Sequence, residues 1–116
     1  MSLEAFFDSP EEKPATCVYV QTVEEKIKQR RSQMLIHSCI YYELDDNIVS
    51  DHQWQAWADE LQELQKKHPE HVEMGFYDQY FKDWDGATGA HLPHRDRWVY
   101  NKALFFLRKA QDERTN

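Results

Sequence analysis

Cysteine, glycine and proline are scarce in this 116-residue sequence, at two, three and four residues respectively. Cys17 and Cys39 have no short metal-ligand spacing, so neither a zinc motif nor a disulfide framework is predicted. With no signal peptide in view, they read as free thiols in a reducing cytoplasm. No apolar run approaches the ~20 residues that a membrane-spanning helix needs, which excludes a membrane partner of that kind. Positive charge is also short: 14 Lys and Arg against 21 Asp and Glu leave a net charge of -7. A protein that neutralises a row of phosphates has the opposite balance, so direct nucleic-acid binding is not expected.

Two of the few glycines, Gly86 and Gly89, stand in Asp85-Gly86-Ala87-Thr88-Gly89 and mark a loop that needs unusual backbone freedom. Neither a preceding strand nor a following Gly-Lys-Ser/Thr is present, so it is not a phosphate-binding loop. Its role cannot be read from its residues. What the chain does have is apolar and aromatic content, 41% and 14%, enough for the core of one compact domain.

Two capping boxes place the first helices. Thr22 with Glu25 opens one that runs to about Glu43, with Ile27, Met34, Leu35, Ser38, Tyr41 and Tyr42 along one face. Lys26, Lys28, Arg30 and Arg31 form a basic cluster read as a solvated helix face. Ser50 with Gln53 opens the second helix at Asp51, and Pro69 ends it. In it Trp54, Trp57, Ala58, Leu61, Leu64 and Gln65 fall three and four apart and face a core. The turn residues Asp45-Asp46-Asn47 let the two helices meet as a hairpin. That hairpin brings Tyr41 and Tyr42 beside Asp51 and Trp54, a combination of aromatic faces, a carboxylate and a positive helix N-terminus.

The spacing of Tyr41-Tyr42, Leu44-Asp45, Ile48-Val49-Ser50-Asp51, Trp54, Glu60-Leu61, Leu64 and His68-Pro69-Glu70 resembles the small N-terminal helical domain, called Ia, of the NAD-dependent DNA ligases. The resemblance covers 22–70. It implies a domain that captures the nicotinamide mononucleotide half of NAD, with Tyr41, Tyr42, Asp51 and Trp54 as cofactor-binding residues. Two positions depart from the family pattern: Trp54 stands where the family has Tyr, and Gln55 where it has Asp. Trp54 keeps a stacking surface; Gln55 loses a charge. Adenylate transfer in that family uses a lysine in a Lys-x-Asp-Gly motif, and Lys82-Asp83-Trp84-Asp85-Gly86 has one residue too many. Binding without catalysis is therefore expected.

The remainder of the chain is less specific. Residues 1–21 read as a flexible N-terminal arm, within which Cys17-Val18-Tyr19-Val20 is rich in β-formers. Phe76, Tyr77, Tyr80, Phe81 and Trp84 fit an amphipathic helix of about two to three turns that covers the hairpin. A last helix from about Arg95 to Asp112 turns Trp98, Val99, Ala103, Phe106, Leu107 and Ala110 inward, and Leu104 and Phe105 widen its apolar face. His91 and His94 are separated by Pro93, and His68 and His71 have no cysteine near them, so no metal site is predicted. The reading is an all-α fold: a helical hairpin, a C-terminal helix and a short aromatic helix in 22–116, with the extended arm before it. Its function is a ligase-domain-Ia-like binding module for NAD or nicotinamide mononucleotide. The rival is a phage-type protein-interaction module that keeps the fold without the nucleotide.

Overall fold

Thr22 and Glu25 exchange both hydrogen bonds of a capping box, the Glu25 amide donating to Thr22 Oγ1 at 3.1 Å and the Thr22 amide to Glu25 Oε1 at 2.9 Å. With two otherwise orphaned amides satisfied, helix α1 starts at once and runs Val23–Tyr42. This is the first element of the computed structural model, which describes residues 20–115. Helix α2, Asp51–Lys67, follows; Ser50 Oγ accepts the Gln53 amide at its start. A 3₁₀ turn at Pro69–His71, the single-turn helix α3 at Asp78–Phe81 and helix α4 at Arg97–Thr115 complete the order. Among the described residues there is no strand, so the fold is all-α. No helix among them is long and apolar enough to cross a membrane. The expected extended arm lies almost wholly outside the described residues.

Helix α1 is the centre. Every residue from Arg31 to Ile40 is buried, on all sides of the helix, because α2 packs against one flank and α4 against another. Ile27, Met34, Leu35, Ile36, Cys39 and Ile40 meet Trp57, Ala58 and Leu61 of α2, Val99, Ala103, Phe106 and Leu107 of α4, and Phe81 and Leu92 from between them. A helix wrapped in this way needs no single apolar stripe, which is why its polar residues Gln29, Ser32, Gln33, His37 and Ser38 are also buried. Trp57 and Leu61 sit in the core as expected, while Trp54 and Leu64 are half-buried at its edge. Cys39 is a free, buried thiol that donates to the His94 carbonyl, and burial with the nearby Glu43 charge pushes its pKa up to about 11.

The hairpin turn folds as expected, with Asp45 in the left-handed region at φ 51°. It is held from outside by Arg114 of α4, which pairs with Asp46 at 3.3 Å and donates to the Asn47 carbonyl at 2.9 Å.

Four expectations are corrected. Arg31 is not on a solvated face. Its side chain is fully buried, donating to Gln65 Oε1 (3.0 Å), to the carbonyls of Val72 and Phe76 (2.8 Å each) and to Asp78 Oδ1 (2.8 Å). The aromatic helix is a single turn, because the Asp78 carboxylate accepts the amides of Met74, Gly75 and Phe76 and Tyr77 sits at φ 55°, which fixes the preceding residues as a turn. Tyr41 is not part of the core: it is 55% exposed and lines a cavity at the end of α1. The last helix begins two residues later than expected, and its Trp98 lies at the surface, edge-on to Phe76 at 5.7 Å.

Candidate functional site

Where α1 ends and α2 begins, an eight-residue connection joins the two helices, and a cavity of about 250 Å³ lies between them. His37, Ser38, Tyr41 and Tyr42 enter from α1, Asn47, Ile48 and Val49 from the connection, and Asp51, Trp54 and Gln55 from the first turn of α2. Ala87, Thr88 and Gly89 close the remaining side. All four residues singled out in the sequence, Tyr41, Tyr42, Asp51 and Trp54, line this one cavity.

The aromatic rings are held in place. Tyr42 stacks on His94, centroids 5.3 Å apart and planes 10° off parallel, and its hydroxyl lies 3.1 Å from Thr88 Oγ1. Tyr41 meets Tyr42 edge-on at 4.9 Å, leaving much of both rings exposed. Trp54 is braced edge-on by Trp84 at 6.2 Å. Asp51 is exposed at the N-terminus of α2, where a carboxylate complements the helix dipole.

The loop that the sequence left without a role is the fourth wall. Gly86 has φ +77°, which a side chain would strain, and its carbonyl accepts Gln55 Nε2 at 3.3 Å. The indole of Trp84 donates to the Thr88 carbonyl at 2.7 Å, and Gln62 Nε2 donates to the Trp84 carbonyl at 2.6 Å. Gly89 is required for space: a Cβ there would fall 1.9 Å from Ser38 Oγ. His94 fixes the same residue through a ring nitrogen 2.6 Å from the Gly89 carbonyl. Gln55 thus secures the loop instead of supplying a charge.

Sequence reasoning missed His37 as a wall residue and gave Ser38 no part in the site. Their signal was present, since they precede Tyr41 and Tyr42 by four residues and so share their helix face. Burial strips His37 of solvent and pulls its pKa down to about 4, so it is neutral at physiological pH. His68 and His71 lie near Glu70, away from the cavity, and no three His, Cys, Asp or Glu side chains among the described residues group to hold a metal ion.

Fold and site together describe a helical hairpin with an aromatic, acid-edged cavity at the end where its two helices are connected. Residues 20–75 match the family model described as DNA ligase-like, N-terminal NAD+-binding domain. The match spans a little under half of the chain and takes in α1, the connection and α2, but neither the loop at 86–89 nor α4. No curated protein and no solved structure matches.

Proposed function

We propose that the cavity receives the nicotinamide mononucleotide part of NAD and that the protein acts as a binding module of the ligase-domain-Ia type. The convergence of Tyr41, Tyr42, Asp51 and Trp54 on one cavity, within the segment that matches an NAD+-binding family, carries the reading. The nicotinamide ring of NAD is a planar pyridinium cation. Aromatic faces favour such a cation by stacking and through their quadrupoles, and the Asp51 carboxylate adds an opposite charge at the rim. The N-terminus of α2 offers its positive dipole end to the phosphate. Each of these contributions is about 0.5–3 kcal/mol, and with Gln55 uncharged and engaged with Gly86, affinity falls in the micromolar to millimolar range.

Titration with NAD and with nicotinamide mononucleotide, followed by tryptophan fluorescence, tests this directly, since Trp54 lines the cavity and Trp84 braces it. Asp51→Asn weakens mononucleotide binding with little change in stability. Absence of any binding at millimolar ligand rejects the proposal. The protein-interaction reading would then stand, and it has its own support in the exposed aromatic rings of Tyr80 and Trp98.

A further inference from the structure

Three polar atoms of two adjacent residues in the cavity wall are buried without a hydrogen-bond partner among the described residues: His37 Nδ1, His37 Nε2 and Ser38 Oγ. His37 is 4% exposed and Ser38 2%. Leaving a buried donor or acceptor unmade costs about 1–3 kcal/mol each, so native structures rarely leave several together without a use. Elsewhere among the described residues buried polar side chains are partnered; Arg31 and Gln65 are examples. The orphaned groups are confined to the wall of one cavity, on the α1 face that also carries Tyr41 and Tyr42.

We propose that His37 and Ser38 recognise a primary carboxamide, and so make the cavity selective for nicotinamide nucleotides over their nicotinic acid counterparts. The proposal rests on the nicotinamide reading above and adds to it the group that tells amide from acid. A neutral imidazole has one N–H donor and one acceptor nitrogen, and a serine hydroxyl has one donor and two acceptor lone pairs. A carboxamide matches that set, with a carbonyl to accept and an NH₂ to donate. A carboxylate offers acceptors only and would bring a negative charge against an uncharged, desolvated wall with Asp51 at its rim. Burial keeps His37 from protonating to meet that charge. The His37 ring is steadied by the indole of Trp57, centroids 5.4 Å apart, and Gly89 packs over Ser38. Because Ser38 Oγ makes no hydrogen bond with the described residues, a ligand's amide would have none to displace there.

Calorimetric titration of the full chain with nicotinamide mononucleotide and with nicotinic acid mononucleotide tests the assignment. The wild type should prefer the amide by about tenfold or more, the equivalent of one or two hydrogen bonds. His37→Phe, which keeps a ring beside Trp57, and Ser38→Ala should each bring the ratio down to about threefold or less, while thermal stability stays equal or rises because an unsatisfied group has gone. His37→Gln, which retains a donor and an acceptor, should keep part of the preference. Tyr41→Ala should weaken both ligands alike. Equal affinity of the wild type for amide and acid overturns the proposal and leaves the nicotinamide site standing, as does a preference that survives both His37→Phe and Ser38→Ala. If neither nucleotide binds the wild type, the nicotinamide reading itself fails and takes this one with it.

Discussion

Arg31 offers the sharpest test of how the chain holds itself together. Its guanidinium lies inside the protein and reaches four acceptors, joining the middle of α1 to α2 through Gln65 and to the turn at 72–78 through Val72, Phe76 and Asp78. Burial works to lower its pKa, and the hydrogen bond and charge of Asp78 oppose that effect. At Asp78, burial disfavours the charge, but the Gly75 amide, Arg31 and the amides of Met74 and Phe76 outweigh it and hold the carboxyl below its usual range. Arg31→Met keeps the aliphatic stem and its packing over Phe81, 5.3 Å from the guanidinium carbon, but abandons two carbonyls, an amide oxygen and a carboxylate. Breaking a buried ion pair by removing one partner costs about 3–5 kcal/mol, and here the stranded carbonyls place the loss near the top of that range. A domain of this size has about 5–15 kcal/mol in total, so about a third or more of the stability is at stake. Arg31→Lys preserves the charge but not the planar fork and should still lose about 2–3 kcal/mol. Asp78→Asn should cost less, about 1–2 kcal/mol, because the Asp78 side chain is 31% exposed and an amide oxygen still accepts. Urea unfolding followed by far-ultraviolet circular dichroism gives these differences, and the double variant should fall short of the sum of the singles because the two groups are one interaction. A loss below about 1 kcal/mol for Arg31→Met would refute the reasoning and return Arg31 to the solvent.

Leu61→Ala should lose about 2–5 kcal/mol in the same assay, since it opens a cavity among α1 and α2 side chains at a position with no solvent exposure. His37 should make stability pH-dependent. Its pKa is about 4 in the fold and 6.5 when unfolded, so the unfolded chain binds the extra proton between those values. Stability is therefore intact above pH 6.5 and declines by about 3 kcal/mol as pH falls toward 4, a slope that subtraction of the His37→Phe profile isolates. Gly89→Ala should destabilise the protein and disrupt the cavity, because the new methyl group meets Ser38 Oγ; pairing it with Ser38→Gly should restore part of the loss, as measured by thermal melting.

What could be read in advance was local. Both helix starts depend on hydrogen bonds spanning three residues, Thr22 with Glu25 and Ser50 with Gln53, and such chemistry is visible in a string of letters. The gathering of Tyr41, Tyr42, Asp51 and Trp54 followed from two helix ends and a short turn. Arg31 escaped because its partners in the turn lie 41 to 47 residues away and nothing near it announces them. The single turn of α3 escaped because the aromatic spacing of a longer helix was present, while the Asp78 carboxylate had already taken the amides before it. Gly89 looked like one more flexible residue; its smallness matters only because Ser38, far off in sequence, lies beneath it. His37 and Ser38 shared a helix face with the tyrosines, yet burial on every side of α1 could not be inferred from a helix without an apolar stripe.

The encirclement of α1 bears on how the molecule breathes. Its two long neighbours are held together chiefly by packing against α1, so neither can detach while the other keeps a complete apolar surface covered. The amides from Arg31 to Ile40 should accordingly exchange with solvent deuterium only through global opening, whereas the loop at 86–89, tied down by a few side-chain hydrogen bonds, is free to exchange by small local excursions. The cavity thus lies between two differently held walls: one is a helix buried on every side, and the other is a loop tied through single side-chain hydrogen bonds.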